Sequence, residues 1–185
     1  MATINELTKN YSGIFGNLLL ARNRNGKTIM VIPQTKSTNK PTENQLTARR
    51  QFTLASRYAK NVLLDPDKLA AYTAKSRDGL SPYILALTDY LKPPFVEQID
   101  ASGYHGKVGD KIGVTAIDDF ELTEVTLKIA DVTGVLIEEG PCAFSLITGN
   151  YEFTATVAVP DPAGVTVTAK ATDTPGHTAE HTITL

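Results

Sequence analysis

The spacing of apolar positions changes twice along the chain, and each change marks a new kind of element. From Gly13 to Ile32 the pattern is that of extended strands. Gly13-Ile14-Phe15-Gly16-Asn17-Leu18-Leu19-Leu20-Ala21 reads as one strand. Asn25-Gly26 supplies two residues that tolerate positive φ, the chemistry of a tight hairpin turn. Lys27-Thr28-Ile29-Met30-Val31-Ile32 reads as the return strand. Leu18, Leu20, Ile29 and Val31 would share its apolar face. Two strands alone are marginal in water, so that face has to pack on something. Pro33 ends the hairpin, and Gln34 to Pro41 contains no apolar anchor and reads as an extended linker.

From residue 42 the period becomes 3.6. Thr42-Glu43-Asn44-Gln45 is a capping box, and Ala48, Phe52, Ala55, Ala59 and Val62 follow it as one helical stripe. Asp65-Pro66 pairs an N-cap with a proline at the first helical position. It predicts a short helix carrying Leu69, Ala70 and Tyr72, with Gly79 as its stop. Ser81-Pro82 repeats the signal and opens a helix whose apolar face is Tyr83, Ile84, Leu87, Tyr90 and Leu91. Lys92-Pro93-Pro94 ends it, because neither proline can donate to a helix.

Beyond residue 95 the period falls to 2. Seven strands are predicted: Phe95–Asp100, Lys111–Ile117, Glu124–Ala130, Val135–Glu139, Tyr151–Val159, Val165–Thr172 and Ala179–Leu185. Val125, Leu127 and Ile129 alternate with Glu124, Thr126 and Lys128. Val132-Thr133-Gly134 reads as a tight turn. The expected class is α+β in three regions: a basic β-hairpin arm with linker (1–41), a helical region (42–94) and an antiparallel β-sandwich of immunoglobulin type (95–185).

The last hairpin, Val165-Thr166-Val167-Thr168-Ala169-Lys170-Ala171-Thr172-Asp173-Thr174-Pro175-Gly176-His177-Thr178-Ala179-Glu180, resembles that of bacterial Ig-like domains. Those domains run as alternating Val and Thr, then Ala-x-Asp, a glycine turn and a Thr-rich strand. The resemblance covers roughly the last 90 residues and implies a binding or structural role rather than a reaction. The N-terminal half, from Gly13-Ile14-Phe15-Gly16-Asn17 through Arg24-Asn25-Gly26-Lys27-Thr28 to Arg49-x-x-Phe52, resembles a pattern in uncharacterised, phage-like bacterial proteins.

Charge sharpens this picture. Residues 1–60 hold ten Lys and Arg against two Asp and Glu, a balance of +8, while residues 61–185 hold eight against eighteen, a balance of −10. The net −2 conceals the division. Such a bipolar chain can place its basic end on the acidic end of a neighbour, or on a polyanion. Arg22, Arg24 and Lys27 crowd the hairpin, and Arg49, Arg50, Arg57 and Lys60 lie on the first helix. An acidic protein surface is the preferred partner. Nucleic acid is the second reading, since a basic ribbon and helix can neutralise several phosphates, although no recognised DNA- or RNA-binding motif is present. Trp is absent, which weakens a third reading as a sugar-binding sandwich.

Catalytic and cofactor signatures are missing. The chain has no nucleophile elbow, phosphate-binding loop or zinc-binding helix motif. Cys142 stands alone and reads as a small core residue. His105, His177 and His181 read as surface or turn residues. Asp110, Asp118, Asp119, Glu121, Asp131 and Asp173 sit near strand ends, where calcium finds oxygens, but Asp is also the ordinary turn residue and no Asp-x-Asp-x-Asp loop occurs. The expectation is therefore a non-enzymatic protein with no cofactor or metal. It would form a homo-oligomer or join a larger particle through Leu18, Leu20, Ile29 and Val31 as anchors. Arg22, Arg24, Lys27, Arg49, Arg50 and Arg57 would be its polar contacts. The opening Met1-Ala2-Thr3-Ile4-Asn5-Glu6 lacks a basic segment followed by an apolar one, which points to cytoplasmic synthesis without membrane insertion, including as part of a particle released later.

Overall fold

The stretch Gly13–Ala21, which reads as one strand, forms parts of two. Strand β1 spans Gly13–Phe15 and β2 spans Leu19–Arg24, and they pair antiparallel with Gly13 opposite Ala21 and Phe15 opposite Leu19. The sequence offers Gly16-Asn17 between them, turn chemistry as favourable as Asn25-Gly26. Strand β3, Lys27–Val31, completes a three-stranded sheet in the order β1-β2-β3. The computed structural model describes residues 13–15, 19–24, 27–32, 39–77 and 79–185. Residues 34–38 of the predicted linker 34–41 lie outside these residues, as do Pro33, Leu18 and the predicted Asn25-Gly26 turn. The chain divides into two compact units, residues 1–48 and 49–185.

Helix α1, Glu43–Val62, starts where its capping box places it. The Thr42 N–H donates to Gln45 Oε1 at 3.2 Å, and the Gln45 N–H donates to Thr42 Oγ1 at 3.4 Å. Helix α2, Pro66–Ala74, is capped by Asp65, whose Oδ1 accepts from the Asp67 and Lys68 amides. Helix α3, Pro82–Leu91, is capped by Ser81, whose Oγ accepts from the Ile84 amide at 3.4 Å. Each such cap contributes about 1 kcal/mol. Helix α2 ends before Gly79, which instead occupies a positive-φ turn closed by the Arg77–Leu80 bridge.

The helical stripe of α1 is only half used. Ala55, Ala59 and Val62 are buried, whereas Ala48 is exposed and Phe52 is 53% exposed. Periodicity identifies a face but not the length of whatever covers it. On α3 the predicted face is mostly half-buried, and the deepest residues are Ala86 and Asp89. Ala59, Val62, Tyr72 and Ala86 form a small helical core, with Tyr58, Tyr83, Leu85, Leu87 and Phe120 packed against it.

Eight strands follow: β4 Phe95–Asp100, β5 Lys111–Ile117, β6 Leu122–Ala130, β7 Leu136–Pro141, β8 Ala143–Phe144, β9 Tyr151–Thr154, β10 Thr166–Asp173 and β11 Thr178–Thr184. They form two antiparallel four-stranded sheets, in the orders β11-β10-β6-β7 and β4-β5-β9-β8. Among the described residues, three helices with three antiparallel sheets make the chain α+β, as its periodicities require. The alternating residues Ile112 and Val114 of one sheet meet Val125, Leu127, Ile129, Val167 and Ala169 of the other in one continuous core.

Two strands differ from expectation for identifiable reasons. Strand β9 stops at Thr154 rather than Val159: Ala155 still bonds Asp110 and Gly109 just before β5, but the Thr156 N–H leaves the ladder for the Glu138 carboxylate at 2.9 Å. Strand β8 has only two residues, too few for a periodic signal. The Val132–Gly134 turn forms as read, with Asp131 Oδ1 accepting from the Thr133 and Val135 amides and Gly134 at positive φ.

Gly106 is a position no other residue should fill. Its φ is +78°, and a Cβ there would lie 2.0 Å from the Val159 carbonyl oxygen. Its own carbonyl accepts from the Val159 amide at 2.8 Å. Gly106→Ala should destabilise the fold by about 2–4 kcal/mol, measured by urea titration, since positive φ and a backbone clash act together. A loss under about 1 kcal/mol would mean that this contact is looser than the geometry shows.

Candidate functional site

Two features of the first unit bear on docking. The register sets Ile14 opposite Leu20 and Leu20 opposite Val31, so these three stand in one row across the sheet. Ile29, two residues before Val31, lies on the same face. Ile14 is 64% exposed, Ile29 and Val31 are exposed, and Leu20 is half-buried. Three of the four predicted anchors thus share a face, joined by Ile14, which sequence reading left out. Arg22 pairs with Ile29 and Arg24 with Lys27 in the β2–β3 ladder. Strands β1 and β3 each pair on one side only among the described residues.

In the second unit, Arg49, Arg50, Arg57 and Lys60 are all exposed, and none has an ion pair among the described residues. At about 100° per residue they fall within roughly 100° of the α1 circumference, on the side away from Ala55, Ala59 and Val62. Another exposed feature is the loop between β8 and β9, where Leu146 is 91% and Ile147 is 97% exposed. Two large apolar residues in a short loop carry no periodic signal, and sequence reading passed over them.

The least expected arrangement lies where the helices meet the sandwich. Tyr72 of α2 stacks on Phe120 with ring centroids 4.1 Å apart. Lys75 Nζ donates to Phe120 O at 2.7 Å and pairs with Glu121 at 3.2 Å, while Lys92 pairs with Asp119. Inside this junction runs a polar chain. Tyr58 and Tyr72 hydroxyls lie 3.0 Å apart, and the Tyr72 hydroxyl donates to Asp89 Oδ2. Asp89 is 2% exposed and Asp173, the last residue of β10, is 1% exposed. Asp118 joins them from the β5–β6 loop, and one oxygen from each carboxylate lies within 4.8 Å of the others.

Each acid is partly satisfied. Asp173 Oδ1 accepts from the Gly176 and His177 amides at 2.7 and 2.6 Å, and Asp173 Oδ2 faces His177 Nδ1 at 3.0 Å. His177 in turn meets the Tyr90 ring edge-on at 4.7 Å. Asp118 Oδ2 accepts from the Phe120 and Glu121 amides. Asp89 Oδ1 and Asp118 Oδ1 are buried without a hydrogen-bond partner. Burial, partly offset by the Tyr72 hydrogen bond, pushes the Asp89 carboxyl up to about 6, and the charges of Asp118 and Asp173 add to the rise. Burial and the bond to Asp89 raise Tyr72 as well, which keeps its hydroxyl a donor.

The remaining candidates are turn and core residues. Asp110 accepts from the Lys107 and His105 amides, which lower its pKa, and Asp131 is lowered by Thr133 and the amides of its turn. Cys142 packs against the sandwich core, and burial pushes its thiol up to about 12, so it is protonated at neutral pH. His177 precedes β11 and turns toward Asp173, while His181 stands on β11 opposite Ala169. Among the described residues no helix is long and apolar enough to cross a membrane. No protein-family model, curated protein or solved structure matches the chain.

Proposed function

We propose that this chain is a non-enzymatic assembly component that multimerises, or docks on a larger particle, through its N-terminal arm. The observation that carries this is the shared face of Ile14, Leu20, Ile29 and Val31 on a small sheet whose outer strands, among the described residues, pair on one side only. Exposed apolar strands at an open sheet edge are the usual template for strand addition. The charge division supports the same reading, because a basic first third favours the acidic remainder of another copy in a head-to-tail contact. Leu146 and Ile147 offer a second apolar contact point.

The sandwich is read here as immunoglobulin-type. Lettered in chain order, β4 to β11 become A, B, C, C′, D, E, F and G. The two sheets are then A-B-E-D and G-F-C-C′, an order that supports the resemblance carried by the last hairpin. Such a domain in a particle protein serves as a rigid body that presents loops and edges. A particle built in the cytoplasm and later released fits a chain of this kind.

The test is the mass of the full-length protein in solution at low and high salt. An oligomer or filament free of nucleic acid is expected. A single-chain mass at every salt overturns self-assembly. One observation favours a second reading, in which the basic face of α1 and the arm grip phosphates: Arg49, Arg50, Arg57 and Lys60 are exposed together without ion pairs among the described residues. Its signature is affinity for nucleic acid that falls steeply with salt.

A further inference from the structure

We propose that Asp89, Asp118 and Asp173 bind a hard divalent cation, calcium foremost, which ties helix α3 to two loops at one end of the sandwich. The three carboxylates come from an α3 position, the β5–β6 loop and the end of β10, and their ligand oxygens lie within 4.8 Å of one another. A calcium ion holds oxygens at about 2.3–2.6 Å, so opposite ligands in its sphere stand about 4.6–5.2 Å apart and all three acids can reach one ion.

A cluster of acids alone would not make a site. Here two oxygens, Asp89 Oδ1 and Asp118 Oδ1, are buried with no partner, and Asp89 is 2% exposed. A buried unpartnered carboxylate oxygen is costly, and two beside a third acid are more so. Their second oxygens are already held, by the Tyr72 hydroxyl and by the Phe120 and Glu121 amides, which leaves the free oxygen of each for a ligand. Asp173 is oriented by Gly176 and His177. These contacts are the outer support that a cation site needs to hold its ligands in place.

The charge balance points the same way. Of the basic groups among the described residues at this junction only His177 pairs with one of the three acids, while Lys75 and Lys92 are engaged by Glu121 and Asp119. The ligands are all oxygen, which selects calcium, magnesium or manganese over thiolate- or imidazole-seeking metals. The three acids are distant in sequence, so the unfolded chain offers no such site and binding acts as a clamp on the native state. This assignment stands apart from the assembly reading, because no residue of the arm takes part.

Full-length protein freed of metal with a chelator is melted and titrated calorimetrically with calcium, magnesium or manganese chloride. Calcium is expected to bind once per chain and to raise Tm by about 5–10 °C at saturation. Asp89→Asn and Asp118→Asn should fold, because asparagine keeps an oxygen for Tyr72 or for the two amides, and both should lose the calcium response. Asp89→Asn should also melt no lower than the native protein when both are metal-free, since it removes a repelling buried charge. The assignment is overturned if none of the three ions shifts the melting of the native protein at about 10 mM, above the weakest usual affinities of calcium modules. It is equally overturned if either folded variant still responds to calcium as the native protein does.

Discussion

Chains lacking residues 1–35 are expected to fold with a nearly unchanged Tm and to lose assembly. The reason is where the cores lie. The sandwich core begins at Val96 and the helical core at Tyr58, and none of the described residues among those removed belongs to either. The α1 caps, Thr42 and Gln45, also remain. A change in Tm of less than about 2 °C is the expectation, while the mass in solution falls to that of a single chain. A finer version replaces Ile29 and Val31 with Asp. Burying the remainder of each half-exposed side chain contributes roughly 1 kcal/mol, and a charge placed there adds a desolvation cost. Association should then weaken by about 100-fold or more. If the shortened chain assembles as the full chain does, the arm is not the contact and the assembly reading fails.

Asp173→Ala is expected to be among the most damaging single substitutions in the second unit, with a loss of about 3 kcal/mol measured in chelator by urea titration. The carboxylate is 1% exposed and accepts from the Gly176 and His177 amides while orienting the His177 ring. Removing it takes the carboxylate acceptor from both amides in a part-buried turn, leaving the Gly176 N–H only the Asp173 carbonyl at 3.2 Å, and a hydrogen bond to a charged group is worth about 1.5–3 kcal/mol. Relief of repulsion with Asp89 and Asp118 offsets part of the loss. Asp173→Asn separates the two effects, because it keeps an acceptor for both amides and discards the charge. It should cost less than about 1 kcal/mol. Equal losses in the two variants would show that charge, not the turn, is what Asp173 contributes.

The helix starts and the main strands were legible in the chain because their signals are short-range. Thr42 and Gln45 cap each other across one turn, and Asp65-Pro66 and Ser81-Pro82 act within three residues of themselves. Strand alternation is equally local, so Ile112, Val114, Val125, Leu127 and Ile129 could be assigned inward before any partner was known. The division of Gly13–Ala21 between β1 and β2 was hidden by the apolar residues on both sides of Gly16-Asn17, which read as one continuous run.

Sequence by itself thus determined the α+β class, the helix caps, the inward faces of the long strands and the division of charge. Each is a property of neighbouring residues or of composition. Tertiary structure alone decided which half of the α1 stripe is covered, how the eight strands divide between two sheets, and that Asp89, Asp118 and Asp173 meet. Sequence reading passed over Asp89, and Asp118 and Asp173 read as ordinary turn residues near strand ends. Their meaning depends on distances between segments far apart in the chain, and no periodicity encodes a distance of that kind. Packing the helices on the end of the sandwich creates it, by burying three carboxylates together and leaving two of their oxygens without a partner.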